Sequence, residues 1–117
     1  MVEAILVTLL ALAQPTYIHQ PRIIQAGVTS WYGPGFHGRR TASRSIYDQN
    51  GLTAAHRTLP FGTRVLVTVP STGRSVTVTV TDRGPFVKGR ILDLSRGAAV
   101  RLGIVHRGVA YVELFRL

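Results

Sequence analysis

The chain has 117 residues, of which 45% are hydrophobic and 16% charged, with fourteen basic side chains against five acidic ones and no cysteine. That length suits one domain with a real core, and the apolar content excludes intrinsic disorder. The missing cysteine excludes disulfides, thiolate metal sites and a lipid-bearing cysteine, while the net charge of +9, carried by arginines and a single Lys88, favours an anionic partner.

In chain order, residues 1–13 (MVEAILVTLLALA) form an apolar run ending in Ala11-Leu12-Ala13, the small-x-small pattern of a cleaved export signal. Glu3 stands before the run where a standard signal carries Lys or Arg. The run is shorter than the roughly 20 residues a membrane span needs, so export to the periplasm or beyond the cell is expected, with no span. Residues 14–26 read as a linker broken by Pro15 and Pro21, and residues 27–117 as the domain.

Within the domain, "GVTSWYG" (27–33) reads as an opening strand. "TRVLVTV" (63–69) and "RSVTVTVT" (74–81) alternate β-branched residues around Pro70-Ser71-Thr72-Gly73 and predict a hairpin. Val76, Val78 and Val80 share one face, and simple alternation carries Asp82 onto that valine face. "SRGAAVRLG" (95–103) predicts a short helix with Ser95 as N-cap and Gly103 past its end, and "GVAYVELF" (108–115) a closing strand. Short strands, one helix and frequent Gly and Pro predict a mainly β fold, a small closed barrel.

"SWYGPGFHGRRTAS", "LTAAHRTLPFGTRVLVT" and "VTDRGPFVKGRILDLS", in that order, resemble the rare lipoprotein A (RlpA) family of septal lytic transglycosylases over about Val28 to Gly103. The resemblance implies a six-stranded double-psi β-barrel, related in fold to expansins and family 45 endoglucanases. It also implies binding and cleavage of peptidoglycan glycan strands at MurNAc-GlcNAc bonds, leaving 1,6-anhydro-muramic ends. The family's catalytic aspartate, in its Asp-Arg-Gly-Pro-Phe motif, corresponds to Asp82, and the histidine of its Thr-Ala-Ala-His motif to His56. Trp31, Tyr32, Arg83 and Ser45 are the expected substrate-binding residues. Neither metal nor other cofactor is expected, and the domain is expected to act as a monomer.

The family's usual Thr-Ala-Ser-Gly-Glu reads Thr41-Ala42-Ser43-Arg44-Ser45 here, so one expected carboxylate is replaced by Ser45. A lytic transglycosylase tolerates this better than a hydrolase, because the muramic 6-hydroxyl attacks its own anomeric carbon and one carboxylate can serve as acid and then as base. The alternative is a noncatalytic, expansin-like wall-binding barrel. Asp48, beside Asn50 and Gly51, reads as a turn residue, and Asp93 as a brace for the helix start at Ser95. His37 and His106 lack partners at metal-ligand spacing. Arginines scattered from Arg22 to Arg116, with no basic helix, argue against a nucleic-acid partner.

Overall fold

The structure, a computed structural model, describes residues 22–117; the expected export signal and the first part of the linker lie outside them. Six strands close into a barrel in the order β1-β5-β2-β4-β3-β6. They are β1 (Ile23–Trp31), β2 (Thr53–Ala55), β3 (Arg64–Val69), β4 (Arg74–Asp82), β5 (Arg90–Leu94) and β6 (Ala110–Arg116), with one helix, α1 (Arg96–Leu102), between β5 and β6. The closed barrel and the helix between β5 and β6 are those the residue pattern predicts.

β3 and β4 form the expected hairpin, with Val65 opposite Val78 and Val67 opposite Val76. Their alternating valines are buried and meet Leu92, Leu94, Val112 and Leu114 in the barrel interior. Each such side chain contributes about 1.5–3 kcal/mol by leaving water. The other pairings are less local: β1 runs parallel to β5 and antiparallel to β6, and β2 runs parallel to β4 and antiparallel to β5. β1 begins at Ile23, inside the stretch expected to be linker, because Ile23, Gln25 and Ala26 pair with Phe115, Leu114 and Glu113 of β6.

α1 stops one end of the barrel with Ala98, Ala99 and Leu102, all fully buried. Ser95 caps it as expected, its Oγ accepting from the Ala98 amide at 3.2 Å, and Gly103 ends it in the left-handed conformation at φ 71°. Ser95 also donates to the Gly51 carbonyl at 2.6 Å, and the Gly97 amide donates to the Gln49 carbonyl at 2.7 Å. A Cβ at residue 97 would come within 2.8 Å of the Asn50 and Gly51 carbonyl oxygens, so only glycine lets the helix seat against this loop.

Candidate active site

Asp82 does not lie on the valine face. Ala54 pairs with Val80 and Ala55 with Asp82, so Thr81 is an extra residue in β4, a bulge that resets the alternation. The bulge turns Asp82 to the outer face beside Ala55, and the Thr81 carbonyl, freed from the ladder, accepts from the Ser43 amide at 3.2 Å.

Three donors from three segments converge on the Asp82 carboxylate. The Tyr32 hydroxyl donates to Oδ2 at 2.6 Å, and the amides of Ala42 and Arg83 both donate to Oδ1 at 2.9 Å. The amide of Arg83 belongs to the turn that follows β4, so Asp82 does brace that turn, but Tyr32 and Ala42 lie 50 and 40 residues away. Burial pushes the Tyr32 phenol far above its ordinary range, reinforced by its hydrogen bond to Asp82. It therefore stays a donor throughout the physiological range. Its ring packs on Tyr47 at 4.9 Å and Phe36 at 5.5 Å between centroids, which fixes the hydroxyl over Asp82.

The loop that supplies the Ala42 amide is pinned at both ends. Arg40 bridges to Ile46, and the Thr41 amide donates to the Ser45 carbonyl at 2.8 Å. Thr41, Ser43 and Ser45 join their hydroxyls in a triangle with edges of 2.8–3.0 Å. Ser45 thus stands exposed in the loop whose Ala42 amide binds Asp82. Arg44 is the one non-glycine residue with positive φ among the described residues, at 73°, at the position where the family's usual motif has glycine.

His56 is buried, and its main-chain amide donates to the Asp82 carbonyl at 3.1 Å. Its ring turns elsewhere. Nδ1 accepts from the Thr58 and Leu59 amides at 3.1 and 3.0 Å, so the proton sits on Nε2, which donates to Gln25 Oε1 at 2.7 Å. Burial, with Arg57 and Arg83 nearby, lowers the His56 pKa, as these contacts to a neutral ring require. The Arg83 guanidinium donates to the His56 and Leu59 carbonyls at 3.2 and 2.8 Å and lies 4.0 Å from the Phe61 ring centroid. Arg83 and His56 together hold the 56–61 loop as one wall.

Trp31 makes no hydrogen bond to Asp82 among the described residues. It packs against the core and, with Tyr32, Gly33, Pro34, Gln49 and Arg96, lines a depression at the helix start. A cavity of about 490 Å³ lies on the Gln25 side of His56 and is lined by Ile24, Gln25, His56, Arg57, Thr58 and Leu59. The carboxylate chemistry lies outside both cavities.

Asp93 is the residue that sequence reasoning misplaced. It does not brace the helix, whose first amides go to Ser95 Oγ, the Gln49 carbonyl and the Tyr47 hydroxyl. Ser30 pairs with Asp93, Asp93 with Ala55 and Ala55 with Asp82, so the four residues form one row across β1, β5, β2 and β4. Ser30 Oγ donates to Asp93 Oδ1 at 3.2 Å. Burial pushes the Asp93 pKa up to about 6, with the Asp82 charge acting in the same direction and the Ser30 hydrogen bond and Arg90 opposing it. Asp48 is the turn residue expected, its Oδ1 accepting from the Asn50 amide at 2.9 Å. Among the described residues no three His, Cys, Asp or Glu side chains gather as a metal site.

The sequence profile of the family described as lytic transglycolase matches residues 24–114. The RlpA protein of Synechocystis sp. is 62% identical over 91 residues, covering 78% of this chain and 28% of the relative. The endolytic peptidoglycan transglycosylase RlpA of Campylobacter jejuni is 54% identical over 88 residues, covering 75% and 32%. The chain thus spans about a third or less of the length of these curated relatives. Among solved structures, the Streptomyces papain inhibitor superposes with a TM-score of 0.62 at 23% identity, covering 84% of this chain and 99% of the inhibitor. A Clavibacter michiganensis expansin superposes at 0.60 and 23%, covering 79% and 49%. At those identities the structural likeness speaks for the double-psi barrel fold alone. Matched over most of its length by the profile and by relatives more than half identical to it, the chain belongs to the RlpA-like lytic transglycolase family.

Proposed function

We propose that the domain is a peptidoglycan lytic transglycosylase that cleaves glycan strands at MurNAc-GlcNAc bonds and leaves 1,6-anhydro-muramic ends. The observation that carries this reading is the Asp82 carboxylate, aimed outward by a bulge and held by Tyr32, Ala42 and Arg83. The C1–O4 bond breaks as the departing O4 takes a carboxyl proton of the site, and the muramic 6-hydroxyl closes on C1 as its own proton passes to Asp82, so that one proton leaves the site and one returns. No water enters the reaction, so the site needs no second carboxylate to activate one. His56 serves the site by positioning: it fixes the loop that Arg83 grips and ties its own backbone to Asp82. Arg83 is likewise a wall residue, and Tyr32 and the Ser45 loop form the rim that meets sugar.

The excess of arginine draws the domain to anionic strands, consistent with a monomer working in the periplasm or outside the cell. No helix among the described residues is long and apolar enough to cross a membrane. Digestion of purified peptidoglycan followed by mass spectrometry tests the reading. Anhydro products, lighter than hydrolytic ones by the elements of water, are expected. Binding without any product would instead favour the expansin-like alternative, which the replacement of the family glutamate by Ser45 keeps in view.

A further inference from the structure

The row that places Asp82 beside Ala55 also places Asp93 on Ala55's other side. The two aspartates are therefore separated by two strand spacings, roughly 9–10 Å between Cα atoms, with carboxylates on one face and only the small methyl of Ala55 between them. Their surroundings differ. Asp82 accepts from three donors on its two oxygens. Among the described residues Asp93 accepts from Ser30 alone, through Oδ1. No side chain or amide among the described residues donates to Asp93 Oδ2, which leaves that oxygen without an assigned hydrogen bond.

Resting on the transglycosylase reading above, we propose that Asp93 is a second catalytic carboxylate, which protonates the departing glycosidic oxygen while Asp82 accepts the proton of the muramic 6-hydroxyl. The step balances. The C1–O4 bond breaks as O4 takes the Asp93 proton, and the C1–O6 bond forms as the 6-hydroxyl proton passes to Asp82. One proton then returns from Asp82 to Asp93 through solvent, and both groups are reset. Two acids in unlike environments divide the work of acid and base in the way a retaining or inverting glycosidase does. The titratable and charged groups facing Asp93 are Asp82 on β4, Tyr32 and Tyr47 beyond β1, and Arg90 on its own strand. Burial with a neighbouring Asp82 charge keeps the proton on Asp93 up to a pH of about 6.

The test compares Asp93→Asn, Asp93→Glu and Asp82→Asn on peptidoglycan and on a dinitrophenyl N-acetylmuramide, whose leaving group needs no proton. Asp93→Asn should lose about 10²–10⁴-fold in kcat on peptidoglycan, lose the alkaline limb of the pH profile, and recover on the aryl substrate. Asp93→Glu should retain part of the activity, and Asp82→Asn should stay slow on both substrates. Wild-type rates for Asp93→Asn on peptidoglycan across the pH range overturn the role of Asp93 and leave that of Asp82 standing. A wild type inactive on both substrates overturns the transglycosylase reading and the role of Asp93 with it. If Asp93→Asn fails to fold, NMR titration of the side-chain carboxyls in the wild type decides. A higher midpoint on Asp93 than on Asp82 supports the proposal, and the reverse order refutes it.

Discussion

Replacing Asp82 by Asn separates its chemistry from its bracing. The amide oxygen can keep the Ala42 and Arg83 amides, and the amide nitrogen meets the Tyr32 hydroxyl, which can turn to accept. What is lost is the charge on three bonds. A hydrogen bond to a charged group contributes about 1.5–3 kcal/mol and a neutral one about 0.5–1.5, and the site is part-exposed, so the net cost is about 1–2 kcal/mol. For a domain of this size that lowers Tm by roughly 5–10 °C and leaves the protein folded at 25 °C. Asp82→Ala strands two amides and costs about 2–4 kcal/mol. Proton transfer is removed in both, so release of anhydro-muropeptides at 25 °C should fall about 10²–10⁴-fold in the Asn variant although circular dichroism shows it folded. A folded Asp82→Asn protein that releases product at the wild-type rate would falsify the chemical role and reduce Asp82 to a brace.

Ser45→Glu restores the family's carboxylate in the loop that binds Asp82 and should raise turnover on peptidoglycan; an unchanged or lower rate argues that the hydroxyl triangle is the working form. Arg44→Gly relieves a left-handed backbone at φ 73°, which costs a side-chain-bearing residue about 1 kcal/mol, so Tm should rise or hold while Arg44→Val lowers it. The pH dependence has two opposing parts. The lowered pKa of His56 means the unfolded chain binds its proton more readily, so this contribution is present above about 6.5 and lost as pH falls below it. The raised pKa of Asp93 works in the opposite sense: its contribution is full below 3.8 and lost as pH rises to about 6. After discounting for its exposure, Asp93→Asn should stabilise the domain above pH 6 by about 1 kcal/mol, and His56→Asn should flatten the acid limb; denaturant titrations at pH 5 and 7.5 read both.

What the sequence made legible was local. The β3–β4 hairpin follows from alternating valines around a Pro-Gly turn, and α1 from Ser95 and Gly103, because each is decided within a few residues. Asp82 could be singled out by its motif but not aimed, since alternation assumes an unbroken ladder and the bulge at Thr81 is set by the register against β2. Asp93 looked like a helix brace because Ser95 is near in sequence. Its true neighbours, Ser30 and Ala55, are brought in by strands 63 residues before and 38 residues before it, pairings no local signal announces. His56 illustrates the same limit, because its ring partner Gln25 lies in a stretch that reads as linker.

Ile23 pairs with Phe115 in the β1–β6 ladder, outside the row Ser30–Asp93–Ala55–Asp82. The row spans four adjacent strands, whereas β6 is the seam that joins β1 to β3. Because that seam links the two ends of the domain, contact order is high and folding should be slow, with loop closure between residue 23 and residue 115 as a late event. Hydrogen exchange should then show β6 amides opening by sub-global fluctuations that leave the β4 and β5 amides protected, so the carboxylates keep their spacing while the barrel breathes at that seam.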